Sequence, residues 1–433
     1  MDKQLPILAH GEEYIESVQK KPRGGEKSYP YTYDTAKFRL LSDLDVMMNE
    51  FRTNEEMFMP EKVLCIRMEP KFEAKSYIPS PLVDVAEESA KLIGGRKYSP
   101  NGSDGVDGKA KLYYVRSTNE GIHRIFDVLS SGERDGQERW RHSVQSIHTI
   151  DIMPAHEKVL GFPEEWEEGP VEFVLHPMGI SAVDATVKRF LEISGLKKDS
   201  VSIKSYEDGL TFIGGRVSRQ NIEAVSSFNP LRSVHPVREY DESVLRSMPM
   251  DGPEPPEDRK SPEIKVGVFD SGLDTDNPYF TAFADNTDLV ENSTRNYCHG
   301  NSVVGALLYG NVKERKGEKL SSPPVYVKMF RVFPEDEKKY AADPYGKLGL
   351  YETIDHIEET VPKYPDIRLY NLSLGPHMAI LDDELNRFTY ALDRLTYQSV
   401  ENGEDILFAV ACGNDGVIVA VLIDRHSVMS GVQ

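Results

Sequence analysis

The segment VGVFDSG at residues 266–272 decides the fold of the carboxyl-terminal half of the chain. It is an apolar run that ends in Asp270 and a Ser-Gly turn, and such a run predicts a strand buried on both faces of a parallel sheet. Ligands bind beyond the carboxyl ends of these strands, so the Asp270 carboxylate is expected at the mouth of a site. A buried carboxylate there can hold one tautomer of an imidazole and stabilise its charged form.

Strands and helices alternate after residue 263. Apolar runs predict strands at IKVGVFD, VYVKMFRVF, IRLYNLSLG and ILFAVACGN. Helical spacing predicts helices at VVGALLYG, at ETIDHIEETV and around Leu381, Leu385 and Phe388. This alternation predicts the α/β fold class, with a parallel sheet, flanking helices and loops gathered at the strand ends.

The residues before the sheet predict two smaller α+β modules. The first, 63–160, has predicted strands at 63–70, 111–117 and 144–152, a helix over 82–93 ended by Gly94-Gly95, and a helix over 122–129. The second, 171–238, has a strand, a helix ended by Gly195, a hairpin turning at Asp208-Gly209, a further helix and a last strand. The order β-α-β-β-α-β is the ferredoxin-like arrangement, and the first module nearly repeats it.

Two further segments complete the predicted organisation. Residues 1–62 are predicted as a polar amino-terminal arm with some helix. Residues 239–263 hold five prolines among eight acidic residues, which is typical of a semi-rigid linker between domains. The domain that carries the parallel sheet is predicted over 264–433.

Composition excludes several classes of protein. The 433 residues are 39 % hydrophobic, and no run of 18 apolar residues could span a membrane. With 51 basic and 71 acidic residues the formal net charge is −20, which argues against binding of nucleic-acid phosphates. Three distant cysteines indicate neither a disulfide framework nor a metal site. No secretory signal is recognisable, so we expect a cytoplasmic protein without a cofactor.

Four segments in chain order resemble the subtilisin-like serine proteases, the subtilase family: VGVFDSG, HGNSVVG (299–305), NLSLG (371–375) and FAVACGNDG (408–416). The resemblance implies a subtilisin-like fold and hydrolysis of peptide bonds by an Asp-His-Ser triad. It implies that Asp270 is the triad acid, His299 the general base and Asn414 the oxyanion donor. It also implies that the substrate backbone and side chain lie between two segments, Ser373-Leu374-Gly375 and Cys412-Gly413.

The nucleophile of the family is missing from this sequence. Its motif Gly-Thr-Ser-x-Ala-x-Pro does not occur, and the nineteen residues after Asn414 offer only Ser427 and Ser430, which lack the required neighbours. We therefore expect a truncated or frame-shifted product, poorly soluble and without appreciable peptidase activity. In subtilisin, loss of the nucleophile alone lowers turnover by ~10⁶. The alternative is a natural relative that lost the serine and serves as a non-catalytic peptide-binding or regulatory protein.

The resemblance also bears on the front half. Subtilase propeptides have the β-α-β-β-α-β form, so 171–238 is interpreted as propeptide-like and the linker after it as a maturation site. A permanent accessory domain for partner binding is the alternative. Some cytoplasmic bacterial subtilases with long amino-terminal regions are encoded beside an AAA-type ATPase, which makes such an ATPase a candidate partner beside the peptide substrate. An aspartyl-nucleophile phosphatase is disfavoured, because Gly272 stands where that chemistry needs a second Asp.

Overall fold

The described part of the computed structural model contains three sheets. The structure describes residues 28–70, 72, 77–98, 110–237, 253–290, 297–310, 312, 318–332, 349–373 and 385–411. Within these residues no helix is both long enough and apolar enough to cross a membrane.

The first module is an antiparallel sheet covered by helices on one face. Its elements are α1 (Tyr33–Thr53), β1 (Lys62–Met68), α2 (Ser80–Val83), β2 (Ala90–Tyr98), β3 (Ala110–Ser117), α3 (Asn119–Ser131), α4 (Glu138–Ser146) and β4 (Ile147–Asp151). The strand order is β2-β3-β1-β4, and each neighbouring pair is antiparallel. Residues of α1, α3 and α4 share one apolar core with the covered face, including Leu40, Ile66 and Ile125.

The segment predicted as an arm with some helix contains α1, whose buried residues follow helical spacing and join the module's core. Two other predictions for this module need correction. The prediction of a helix over 82–93 is wrong, because α2 ends at Val83, a 3₁₀ helix follows to Ser89 and β2 begins at Ala90. Gly94 ends no helix; it has a φ of +143° at a register shift of β2 against β3. The strand predicted from 144 begins only at Ile147, because α4 continues to Ser146.

The second module repeats the same topology. Its elements are α5 (Ala155–Lys158), β5 (Glu168–Leu175), α6 (Val183–Ser194), β6 (Ser202–Ser205), β7 (Thr211–Ser218), α7 (Arg219–Val225) and β8 (Leu231–Pro236). The sheet order is β6-β7-β5-β8, so in both modules the first strand lies between the third and the fourth. The predicted turn is present, with Asp208 at a φ of +49°, and Gly195 ends α6 at a φ of +70°. The ferredoxin-like α+β class is therefore confirmed.

The two modules meet across a polar seam on the second face of the first sheet. The Asn229 side chain accepts from the Val63 amide at 2.7 Å and donates to the Val63 carbonyl at 2.8 Å. Lys158, 1 % exposed, donates to the Phe228 carbonyl at 2.9 Å. Burial lowers the pKa of Lys158 to about 8. These contacts satisfy backbone and charged groups that the seam removes from water.

The third sheet is parallel and five-stranded. Its domain contains β9 (Lys265–Asp270), β10 (Ala284–Asp288), α8 (Cys298–Tyr309), β11 (Tyr326–Arg331), α9 (Gly349–Thr360), β12 (Leu369–Leu372), α10 (Arg387–Glu401) and β13 (Leu407–Val410). The order is β10-β11-β9-β12-β13. The predicted α/β class is confirmed. The predictions missed β10, and α10 begins at Arg387 after the N-cap Asn386, so Leu385 precedes it; Leu381 lies outside the described residues.

Helices cover both faces of this sheet. An apolar cluster with Val268, Val304 and Met329 joins α8 to one face. Another, with Phe269 and Ile354, joins α9 and α10 to the other face. Because the chain leaves β11 on one side of β9 and returns in β12 on the other, the carboxyl end of β9 is the topological switch point of the sheet.

Part of the predicted linker packs on this domain. The Glu254 amide donates to the Glu318 carbonyl at 2.8 Å, and Leu320 donates back to Glu254 at 2.9 Å. Tyr279 donates its hydroxyl proton to the Pro253 carbonyl at 2.6 Å. The described residues from 253 onward are therefore attached to the domain surface, whereas 238–252 lie outside the described residues, and the domain boundaries stay predictions.

The start of α8 lies directly against the turn after β9. The Gly300 amide donates to the Ser271 hydroxyl at 3.0 Å, and a Cβ at Gly300 would collide with the Gly272 carbonyl oxygen. Gly272 itself has a φ of +101°, which favours glycine. This close approach fixes which side chains of α8 reach the end of β9.

We predict that Gly300→Ala destabilises the chain by about 1–3 kcal/mol, because the added methyl must displace backbone. Gly305→Ala in the same helix is the control: nothing lies within 4 Å of its Cβ position, and alanine should stabilise the helix by about 0.5–1 kcal/mol. Urea unfolding of both variants measures the difference. Equal stabilities would contradict the proposed close contact.

We also predict a pH dependence from Lys158. Its pKa is near 8 in the folded chain and about 10.5 when unfolded, so between these values the unfolded state binds more protons. The free energy of unfolding should therefore rise with pH in this window, by about 1–3 kcal/mol relative to Lys158→Met. Exposed Lys91→Met serves as control and should give no such difference. A flat difference for Lys158→Met across the window would contradict the seam geometry.

Candidate functional site

A buried carboxylate and a partly exposed imidazole meet at the switch point. Asp270, the last residue of β9, is fully buried, and its Oδ1 accepts from the Ser271 amide at 2.6 Å. His299 Nδ1 lies 2.7 Å from the same oxygen. The His299 side chain is 35 % exposed, so the imidazole reaches from the buried carboxylate to the surface.

This pairing sets the chemistry of the imidazole. With Nδ1–H donated to Asp270, the neutral ring leaves Nε2 unprotonated and available as a base. The carboxylate would also stabilise the imidazolium that forms once Nε2 takes up a proton. The pair can therefore accept a proton from a hydroxyl group and return it.

Two asparagines that the sequence did not single out as functional hold this region together. Asn301 accepts from the Asp274 amide at 3.0 Å and so ties α8 to the turn that follows β9. Asn286, on β10, accepts from the Leu273 amide at 3.1 Å. Asn301 had one signal in the sequence, since it departs from the threonine usual at that position of the subtilase motif. Asn286 lies on a polar strand without a periodic pattern and had none.

Ser373 lies at the same edge of the sheet. Asn371 pairs with Val268 in the β9–β12 register, so two residues later Ser373 is level with Asp270. Its hydroxyl donates to the Asn371 side chain at 2.9 Å. The structure thus brings three predicted site residues to one edge, Asp270, His299 and Ser373. The others lie outside the described residues: Leu374, Gly375, Cys412, Gly413 and Asn414.

The site offers no metal centre in the part of the chain that is described. There, no group of three or more His, Cys, Asp and Glu side chains is arranged to hold a metal ion. Cys298, directly before His299, is exposed, so its thiol does not fill the apolar core.

Comparison with known proteins yields one family. The family model described as the subtilase family, Peptidase_S8, matches residues 261–430. No curated protein matches the chain.

Two solved structures resemble the chain only weakly. A microcompartment protein from Desulfitobacterium hafniense DCB has 7 % sequence identity and a TM-score of 0.18, over 41 % of this chain and 93 % of its own. A proposed glycine cleavage system transcriptional repressor has 11 % identity and a TM-score of 0.14, over 41 % of this chain and 98 % of its own. Scores this low carry no argument about fold or function.

The family match agrees with the described domain. Residues 261–430 include the whole parallel sheet and the helices on its two faces. They also include the strand end and helix start that bring Asp270 and His299 together. Residues 261–430 therefore form a subtilisin-like domain that matches the subtilase family.

Proposed function

We propose that the carboxyl-terminal domain is built for serine endopeptidase chemistry, in which Asp270 orients His299 and His299 acts as general base. The 2.7 Å contact between Asp270 Oδ1 and His299 Nδ1, with the carboxylate fully buried, is the observation that carries this proposal. In this role Nε2 takes the proton of an attacking serine hydroxyl and returns it to the leaving amine.

The remaining roles follow from the motif positions. Asn414 would donate its side-chain amide to the oxyanion of the tetrahedral intermediate. The segments Ser373-Leu374-Gly375 and Cys412-Gly413 would hold the substrate between them. The position of Ser373 level with Asp270 supports the first segment, because a peptide lying along the end of β12 would then pass the imidazole.

No residue of the printed sequence supplies the serine in its family context. These 433 residues by themselves are therefore expected to hydrolyse no peptide at a measurable rate. The second candidate is a peptide-binding or regulatory protein. One experiment distinguishes the two candidates. A chain completed with the Gly-Thr-Ser-x-Ala-x-Pro segment of a relative becomes active only if its acid, base and oxyanion groups are intact.

We predict that such a completed chain hydrolyses peptides and that His299→Ala lowers its turnover by ~10⁴–10⁶. The unextended chain should neither cleave peptide nor react with a fluorophosphonate probe of active serines. A completed chain that remains inactive although it folds would favour the non-catalytic function. Serine-inhibitor-sensitive cleavage by the unextended chain would contradict the proposed need for an added nucleophile.

The acid–base pair can be tested in the chain as it stands. The proton on His299 Nδ1, donated to a buried carboxylate, should give a far-downfield proton NMR signal that Asp270→Asn removes. Asp276→Asn, an exposed carboxylate on the loop after β9, should leave the signal in place. Persistence of the signal in Asp270→Asn would assign it to another contact and contradict the proposed pair.

We also propose that the second module acts toward this domain as a propeptide does. The sheet face opposite its own helices packs on the domain: Val174 and Phe212 cluster with Tyr351 of α9, and Tyr390 of α10 packs against them. Such a contact covers two helices that would otherwise expose apolar surface.

A buried glutamate anchors this contact. Glu172 on β5 is 2 % exposed, and Tyr351 donates its hydroxyl proton to Oε2 at 2.6 Å. The Arg387 amide, at the first residue of α10, donates to Oε1 at 3.0 Å. His235 Nε2 lies 3.3 Å from Oε1. A carboxylate at a helix N-terminus is stabilised by the helix dipole, so Glu172 fastens the module to the beginning of α10.

A surface ion cluster surrounds the anchor. Arg387, 1 % exposed, lies 2.5 Å from Asp355 and 3.4 Å from Glu358. Lys204 of the second module reaches the same two carboxylates at 2.8 and 3.2 Å. The module thus adds a cation to a pair of acidic residues that α9 presents.

We predict that the two halves stay together when a protease site inserted into the linker is cut. Glu172→Gln should weaken the association of the two halves at least ~10-fold, because the groups that bind the Glu172 carboxylate would then face a neutral side chain in a buried network. Glu168→Gln, exposed on the same strand, is the control. Analytical ultracentrifugation measures both. Separation of the wild-type halves at micromolar concentration would contradict docking of the propeptide kind.

A further inference from the structure

A pocket of about 490 Å³ opens in the first module, far in sequence from the Asp270–His299 pair. It lies between the end of α1, the segment that joins α1 to β1, and the start of α3. Its volume falls within the ~300–1,000 Å³ typical of small-molecule sites. The apolar part of its wall is formed by Met48, Phe51, Phe58, Met59, Pro60 and Ile122.

A buried cation lies in this apolar wall. Lys62, at the start of β1, is 7 % exposed, and its ammonium group donates to the Pro60 carbonyl at 3.2 Å. The same nitrogen lies 5.8 Å from the centre of the Phe51 ring. Burial lowers the pKa of Lys62 from its ordinary value.

Polar groups of α1 and α3 form the edge of the pocket. Arg52 and His123 line it from exposed positions, and Asn119 brings the N-terminus of the 13-residue helix α3 to its edge. Helix N-termini favour anions. Glu55 is the one acidic side chain among the lining residues, all of which belong to the described part of the chain, and it is exposed.

We propose that this pocket binds a small amphipathic anion, a carboxylate carried on an apolar chain or ring. The carboxylate pairs with Lys62, and the apolar body packs on Met48, Phe51 and Phe58. A desolvated ammonium gains most from an ionised acceptor, because the attraction between opposite charges is stronger where water is excluded than in bulk solvent. A neutral apolar ligand would bury Lys62 further without supplying a charged acceptor, and a bare inorganic anion would leave the aromatic wall unfilled.

Occupancy of the pocket also acts on the module seam. The segment that joins α1 to β1 is held by the second module: the Asn229 amide donates to the Met57 carbonyl at 2.9 Å, and Arg189 donates to the Glu56 carbonyl at 3.1 Å. A ligand that packs against Phe58 and Met59 therefore restrains the same segment from its other side. Binding should raise the unfolding temperature of both modules together.

The test is calorimetric titration of the full 433-residue chain with decanoate, decanol and decyltrimethylammonium, each below its micellar concentration. Decanoate should bind at least ~10-fold more tightly than either of the others. Lys62→Met, which keeps the apolar stem, should remove the preference for decanoate over decanol. Lys91→Met, an exposed lysine of the same module, should leave it unchanged.

A second variant covers the case in which Lys62→Met fails to fold. Met48→Trp, at a half-buried position, fills the pocket and should weaken decanoate binding at least ~10-fold. Three results would overturn the proposal: no saturable binding of decanoate, equal affinity for decanoate and decanol, or undiminished decanoate binding by whichever of the two variants folds.

Discussion

The fully buried carboxylate of Asp270 is the constraint on which the arrangement of the parallel domain depends. A buried charge costs several kcal/mol unless it is paired and hydrogen-bonded, so the surrounding chain must supply donors. The Ser271 amide and the His299 imidazole both contact Oδ1 of Asp270. The imidazole can reach this oxygen only if α8 begins against the turn after β9. Only glycine at positions 272 and 300 permits that approach. The packing of α8 against β9 thus both satisfies the buried carboxylate and forms the candidate site.

The front half follows the same physical rule at two interfaces. Glu172 is buried where the second module meets the parallel domain, and Lys158 where the two modules meet. Each has a defined partner: an amide and a phenol of the parallel domain for Glu172, and a carbonyl of the second module itself for Lys158. Breaking either contact leaves a charge without a partner in an apolar setting, whereas the apolar clusters supply most of the burial.

Much of the fold was predictable because its strands are apolar runs and its turns carry Gly at positions with positive φ, as Gly195 does. The order of the family motifs likewise predicted that Asp270 and His299 would lie in contact. Prediction failed where local pattern and tertiary context disagree. Residues 82–93 have helical spacing, but the chain enters a sheet from Ala90, and β10 is a polar strand without alternation. Glu172 and Asn229 could not be singled out, since their partners lie 215 and 166 residues away.

The module seam has a chemical consequence for the cysteines. Cys65 lies on the seam side of β1, 1 % exposed, and burial raises the pKa of its thiol to about 12. In the closed seam it is therefore neutral and shielded from alkylating reagents, whereas the Cys298 thiol is exposed beside the site. Modification of Cys65 has to wait for the two modules to part. The rate at which the Cys65 thiol is alkylated would therefore report the opening of the seam.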